Sequence, residues 1–149
     1  SGHVVGVDGT GRRLDRARRL VARRGWANVS LVQADAATPP IQSADAVLST
    51  FVTSLFPDPE SVVREWCGLA DTVVLASFAP RGNRAANAAL WGVTRVNARL
   101  CGATEGEALA QVAARTETSR DALVDRMDTV EKTRNVFDTI EINAGSRES

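Results

Sequence analysis

The sequence predicts an α/β fold in which helices cover both faces of a mostly parallel sheet. Four short apolar runs, at residues 4–8, 29–34, 45–51 and 72–78, resemble strands that are buried on both faces. Segments with helical spacing of apolar residues lie between them, and this alternation is typical of parallel sheets. The 149 residues, 44% of them hydrophobic, suffice for one domain with a core.

The first strand is predicted to end on a carboxylate. Residues 4–8 finish at Asp8, and the small residues Gly9 and Thr10 follow. Ligands of open α/β sheets bind at the carboxyl ends of the strands. Because a carboxylate accepts hydrogen bonds through two oxygens, Asp8 is a candidate receptor for both hydroxyls of a ribose.

The first helix is predicted over residues 11–24, ending at Gly25. Its apolar positions fall on one face, and its many arginines lie largely elsewhere. We interpret the arginine-dense side as a solvated outer face. An RNA-binding surface is the less favoured alternative, since aromatic interleaving is missing apart from Trp26. The apolar positions are Leu14, Ala17, Leu20 and Val21.

The pattern of an apolar run followed by an acid recurs in the second strand. Residues 29–34 lead to Asp35 and Ala36, and two such strands side by side would frame a nucleoside. The third run ends at Ser49, Thr50 and Phe51.

A second helix is predicted to start after Phe56. Asp58 is the expected N-cap and Pro59 the first helical residue, where its missing N–H costs nothing. Val62, Val63, Trp66 and Leu69 form its apolar stripe. We interpret Trp66 as a core residue, because an aromatic residue at helical spacing is more often core than substrate wall.

Together, the segments from Gly6 to Ala36, 43–51 and 72–78 resemble the class I S-adenosylmethionine-dependent methyltransferases that act on small molecules. The resemblance implies a Rossmann-like doubly wound sheet, S-adenosyl-L-methionine as cofactor and a small-molecule methyl acceptor. It implies that methyl transfer proceeds by in-line displacement, with catalysis mainly from proximity and alignment. No catalytic acid or base is assigned.

The resemblance also implies positions for the site. Asp8 would bind the ribose, and Asp35 with the backbone N–H of Ala36 would read the adenine. The expected cofactor-binding residues are Asp8, Gly9, Thr10, Asp35, Ala36 and Ser49, and the expected substrate pocket is Thr50, Phe51, Phe56 and Trp91. The pocket's aromatic residues favour a small apolar or aromatic acceptor.

The sequence departs from the family in one respect. The glycine-rich loop that follows the family's first strand has no counterpart here, so that strand is expected to be missing or displaced. In the family it lies between the strands that correspond to residues 4–8 and 45–51. Either residues 136–142 fill this place as a permuted first strand, or the chain is a fragment without it. We favour the fragment hypothesis, because Asn143 and Arg147 stand where the loop needs glycines.

The second half of the chain is predicted to be mainly helical. One helix covers residues 83–100, a second runs to Arg115, and a third is capped by Thr118 or Ser119 and continues to Val130. Residues 136–146 read as a strand and a turn. We therefore expect a partial cofactor-binding core at residues 1–82, with residues 83–149 adding a helical cover and a last strand to the same domain.

Composition argues against several other functions. The 18 basic and 18 acidic residues cancel, so nucleic acid or an anionic membrane is not an expected partner. Two cysteines and the single His3 do not make a zinc site. No segment has the length of a membrane span, and a cytoplasmic location is expected.

Two alternatives to a methyltransferase remain. The chain could be a truncated or rearranged noncatalytic domain of the same fold. It could also be a nicotinamide dinucleotide-binding domain, which shares the acid after a strand. The latter ranks last, since its Gly-x-Gly-x-x-Gly fingerprint is missing. The oligomeric state is left open.

Overall fold

The computed structural model describes residues 2–78, 105–135 and 140–147, the side chains of residues 105–109 excepted. They form two compact units, unit 1 (Ser1–Ile41) and unit 2 (Gln42–Ser149). The elements are β1 (Val4–Asp8), α1 (Gly11–Arg24), β2 (Val29–Gln33), β3 (Ala44–Thr50), a 3-10 turn (Thr53–Leu55), α2 (Pro59–Leu69), β4 (Ala70–Phe78), α3 (Glu105–Arg126), β5 (Thr129–Asn135) and β6 (Ile140–Ser146).

Unit 1 is a β-α-β arrangement. Strands β1 and β2 are parallel and in register from Val4 opposite Val29 to Asp8 opposite Gln33. Helix α1 joins them and has the predicted bounds. It ends because Gly25 adopts a left-handed conformation with φ of 66°, which glycine tolerates without a Cβ clash.

The expectation that β1 is buried on both faces is wrong. Val4 is 55% exposed and Val5 is 40% exposed. Among the described residues of unit 1, Leu14 of α1 is the buried one. The apolar run is therefore a correct signal of a strand but not of its burial.

Unit 2 is built on a four-stranded sheet with the order β3-β4-β6-β5. Strands β3 and β4 are parallel, whereas β6 runs antiparallel to both of its neighbours. The predicted α/β class is confirmed, but the expected single, mostly parallel sheet is not, because the described strands form a parallel pair and a separate mixed sheet.

The hypothesis of a permuted first strand is also wrong. Strand β6 lies between β4 and β5, with Asn143 opposite both Leu75 and Lys132. The described part of the chain pairs β1 with β2 alone and β3 with β4 alone. The fragment hypothesis stays a prediction.

Helices α2 and α3 pack in unit 2. Asp58 caps α2 as predicted, its Oδ1 accepting a hydrogen bond of 3.1 Å from the Ser61 N–H. Trp66 is 4% exposed, which confirms it as a core residue. Val63, Val73 and Leu123 are completely buried. They come from α2, β4 and α3, so the core lies between this sheet and these two helices.

The predicted helix break near Thr118 is wrong, since α3 is one helix of 22 residues. The hydroxyls of Thr118 and Ser119 donate to the carbonyls of Ala114 and Arg115 one turn earlier, instead of capping a new helix. Val130, expected on that helix, lies in β5.

Several predictions fall outside the described residues. These are the helix at residues 83–100, the boundary at residue 82 and the pocket residue Trp91.

Candidate functional site

The carboxyl ends of β1 and β2 form one edge of unit 1. Asp8, the last residue of β1, lies opposite Gln33, the last residue of β2. The Gln33 side-chain amide donates a 3.2 Å hydrogen bond to the carbonyl of Gly9, which ties the loop after β1 to the neighbouring strand. The predicted segments 8–10 and 35–36 therefore emerge side by side.

Asp8 already has two partners. Its Oδ1 accepts a 2.7 Å hydrogen bond from the Thr10 N–H, which forms a turn after the strand. Its Oδ2 lies 3.6 Å from Nη1 of Arg13, and the Asp8 side chain is 30% exposed. Since two carboxylate oxygens offer about four acceptor positions, capacity remains for ligand hydroxyls.

Asp35, two residues after the end of β2, adopts the same local geometry as Asp8. Its Oδ1 accepts a 2.9 Å hydrogen bond from the Ala37 N–H, and the residue is exposed. Two aspartates with the same hydrogen-bonding geometry therefore lie at neighbouring strand ends. Each uses one oxygen to hold its own loop.

The other predicted residues follow β3 in unit 2. Ser49 is buried, and among the described residues its Oγ finds no hydrogen-bond partner. Thr50 is exposed. Phe51 has a φ of 57°, unusual for a residue other than glycine, and its N–H donates a 2.7 Å hydrogen bond to the carbonyl of Ala76. Its ring stacks on Phe78 at 4.3 Å between centroids.

Phe56 contacts a different aromatic side chain from Phe51. Its ring meets Trp66 edge to face, with 6.0 Å between the centroids. Because Trp66 is core, Phe56 is fixed by packing within unit 2. The structure thus brings Ser49, Thr50 and Phe51 together at one strand end. It holds Phe56 through a core contact.

Sequence reasoning missed four side chains that support the carboxyl ends of β1 and β3. Gln33 holds the loop at Gly9, and Arg13 approaches Asp8. Thr53, in the turn after β3, and Ser77, in β4, are buried. Their hydroxyls lie 3.3 Å apart. The position of Gln33, two residues before Asp35 at the end of the apolar run, is the one sequence signal that could have identified it, since parallel strands align their ends.

The described residues contain no group of three or more His, Cys, Asp and Glu side chains that could hold a metal ion. In the same part of the chain, no helix is long and apolar enough to cross a membrane.

Comparisons with known proteins agree with the resemblance. Residues 1–71 match the family model described as "Methyltransferase domain". A search of curated proteins finds no match.

Solved structures are similar in fold. An O-methyltransferase family protein from Burkholderia thailandensis aligns over 100% of this chain and 44% of its own, at 15% identity and a TM-score of 0.65. A SAM-dependent methyltransferase from Aquifex aeolicus aligns over 97% of this chain and 68% of its own, at 14% identity and a TM-score of 0.60. The N-terminal domain of EvdMO1, solved with SAH bound, aligns over 98% of this chain and 65% of its own, at 14% identity and a TM-score of 0.59.

The chain spans between 31% and 54% of the length of the first three solved structures it matches. At these identities the structural likeness concerns the fold. The match over residues 1–71 covers β1, α1, β2, β3 and α2, including both acid-bearing loops. The resemblance expected from the sequence is therefore confirmed: residues 1–71 match a methyltransferase-domain family model, and the fold is similar to that of a solved SAM-dependent methyltransferase.

Proposed function

We propose that this chain takes part in methyl transfer from S-adenosylmethionine to a small-molecule acceptor, with the adenosyl group bound at the carboxyl edge of β1 and β2. The observation that carries the proposal is the register of this strand pair. It places Asp8 opposite Gln33, which is two residues before Asp35. The methyltransferase-domain match over residues 1–71 supports the same assignment.

The chemistry of this edge suits a nucleoside. Asp8 would accept hydrogen bonds from the ribose hydroxyls, and Asp35 would accept one from the exocyclic amine of adenine. Gly9 and Thr10 would line the ribose side, Gly9 held by Gln33 and Thr10 by Asp8. When bound, S-adenosylmethionine supplies an electrophilic methyl group. The protein's contribution would be chiefly proximity and alignment.

The residues that the family resemblance assigns to the acceptor and that the structure describes belong to unit 2. The stacked rings of Phe51, which follows β3, and Phe78, the last residue of β4, offer an aromatic surface. The positive φ of Phe51 is a strained conformation, and such strain concentrates at functional sites. We propose a planar apolar or aromatic acceptor for this surface, with Thr50 beside it.

One observation favours the noncatalytic alternative. Val4 and Val5 of β1 are exposed, and unit 1 buries Leu14 among its described residues. A strand pair with so little core would hold its loops less firmly than a covered sheet does. Binding by the chain alone is therefore the point to test.

Isothermal titration calorimetry with S-adenosylhomocysteine separates the candidate functions. The proposal predicts saturable binding, and no binding of NAD under the same conditions. Heat from NAD alone would favour the dinucleotide-binding alternative. Absence of heat from both ligands, with a folded protein by circular dichroism, would favour the noncatalytic one.

A further inference from the structure

A row of four arginines lies along the outer side of α1. Arg12, Arg16, Arg19 and Arg23 are all exposed. Their spacing of four, three and four residues places them on one face of the helix, opposite the face of Leu14. At 1.5 Å per residue, this arginine row is about 16 Å long.

The arginine row is left out of the ion pairs of unit 1. Within the described part of the chain, Arg13 lies 3.6 Å from Asp8 and Arg18 lies 2.8 Å from Asp15. The four row arginines have no acid within salt-bridge distance among those residues. Like charges one turn apart repel each other and weaken a helix. A face that needed only to be solvated would be better served by mixed charges.

The balanced charge of the whole chain conceals a local excess. Residues 1–41 contain seven arginines and three aspartates, a net charge of +4, while the remaining residues carry the compensating acids. The prediction of no nucleic-acid partner came from the whole-chain balance, which does not describe the field around α1.

We propose that the arginine row binds the phosphate backbone of a nucleic acid. Guanidinium groups pair with phosphate oxygens in a bidentate manner, and backbone binding requires positive charge without an apolar surface. A helix that lies on a membrane buries an apolar face. Leu14, Ala17 and Val21 lie on the inner side of α1, and Leu20, which is 38% exposed, is a single apolar residue beside the arginine row. The core of a protein–protein interface is apolar and poor in charge, whereas all four positions of the arginine row are charged.

Fluorescence anisotropy with a labelled DNA duplex of about 20 base pairs, two helical turns, tests the proposal. Four phosphate contacts predict a slope of about −3.6 in a plot of log K against log salt, so affinity should fall by roughly a hundredfold between 50 and 200 mM salt. A duplex that does not bind at 50 mM salt would overturn the proposal.

Two variants with the same net charge locate the effect. The row variant carries Arg12→Gln, Arg16→Gln, Arg19→Gln and Arg23→Gln, and it should lose at least about tenfold in affinity at low salt. The control variant carries Arg18→Gln, Arg64→Gln, Arg120→Gln and Arg126→Gln at positions that are ion-paired with acids. It should bind within about twofold of the parent chain, because each of its arginines has a carboxylate within 3.9 Å that offsets its local field. Equal losses in both variants would mean a net-charge effect and would contradict the proposal.

A third variant guards against a folding artefact. This variant carries Arg12→Lys, Arg16→Lys, Arg19→Lys and Arg23→Lys. It keeps the charges, so it should keep most of the affinity if the contact is electrostatic. A loss as large as that of the glutamine variant would contradict this. Equally tight binding to polyglutamate or to vesicles of anionic lipid, with the same dependence on the row, would assign the row to another anion and overturn the nucleic-acid proposal.

Discussion

At the scale of the residue, Asp8 has both a local and a proposed ligand-binding role. Its Oδ1 holds the turn at Thr10, so Asp8→Ala would disturb the loop as well as the ligand site. Asp8→Asn is the sharper change, since the amide oxygen can still accept the Thr10 N–H. The amide nitrogen cannot accept a ribose hydroxyl.

We expect Asp8→Asn to weaken S-adenosylhomocysteine binding by more than about tenfold, because hydrogen bonds to a charged group contribute about 1.5 to 3 kcal/mol each. Calorimetric titration measures the change. Asp15→Asn is the matched control, an exposed acid in the same unit, on α1. If Asp8→Asn binds as tightly as this control, the ribose assignment is wrong.

Glu141 is the buried carboxylate of the β5–β6 hairpin. Burial raises its pKa, but hydrogen bonds from Lys132, Asn143 and Arg134 and the charge of Lys132 outweigh burial and leave the pKa lowered. Lys132 Nζ lies 2.8 Å from Oε2 of Glu141 and Arg134 Nε lies 3.3 Å from the same oxygen. The ionised form is thus the one that the fold stabilises.

We expect Glu141→Gln to lower the free energy of unfolding by about 1 to 3 kcal/mol at pH 7. Since the folded-state pKa is lowered, the stabilisation is complete above the unfolded value of about 4.3 and disappears as the pH falls through the folded value. Urea unfolding at pH 7 and below pH 4 should therefore show the parent and variant converging in acid. Glu131→Gln, at an exposed position on β5, is the control. A difference that grows in acid would contradict the assignment.

At the scale of the element, Gly145 shows why β6 packs as it does. A Cβ on Gly145 would lie 2.7 Å from Cγ of Met127 and 3.0 Å from Cδ1 of Leu123. The glycine lets the end of α3 approach the sheet. The role of Gly145 is therefore to allow this close packing.

We expect Gly145→Ala to destabilise the protein by about 1 to 3 kcal/mol through overpacking. Gly68→Ala is the comparison, since a Cβ there meets nothing within 4 Å and alanine favours a helix. Thermal unfolding of both variants gives the measurement. A Gly145→Ala protein as stable as Gly68→Ala would show that the close approach relaxes freely.

Sequence reasoning succeeded where an element has a local signal. Gly25 ends α1, and Asp58 with Pro59 begins α2, because caps are determined by neighbouring residues. It failed at β5, whose residues Thr129–Asn135 are mostly polar and exposed. Among the described strands β5 is an edge strand paired on one side, so no apolar alternation marks it. Its threonines and Val130 were the only hint.

The candidate site was predictable only in part. Asp8 and Asp35 follow apolar runs, and the register of a parallel pair necessarily aligns such positions. The strain at Phe51 and the contact between Thr53 and Ser77 depend on tertiary packing. Neither follows from residue spacing.

At the scale of the whole molecule, the two units differ in how much they bury. The described residues of unit 1 bury Leu14, whereas unit 2 buries residues from its sheet and from both of its helices. Local opening depends on such burial. The two units should therefore differ in stability.

We expect the amides of β1 and β2 to exchange with solvent deuterium faster than those of β4 and β6. Strands β4 and β6 are paired on both sides, while the described residues pair β1 on one side only. Hydrogen exchange followed by mass spectrometry distinguishes them. Equal protection in both units would mean that unit 1 is stabilised beyond what its own burial provides.

The central claim is that an adenosyl group binds at the carboxyl edge of β1 and β2. The most direct measurement is a titration of the isotope-labelled chain with S-adenosylhomocysteine, followed by amide NMR shifts. The largest saturable changes are expected at Gly9, Thr10 and Asp35, with the amides of β5 unchanged. Saturable shifts confined to other parts of the chain would contradict the account, as would a spectrum of the folded chain that does not respond to the ligand.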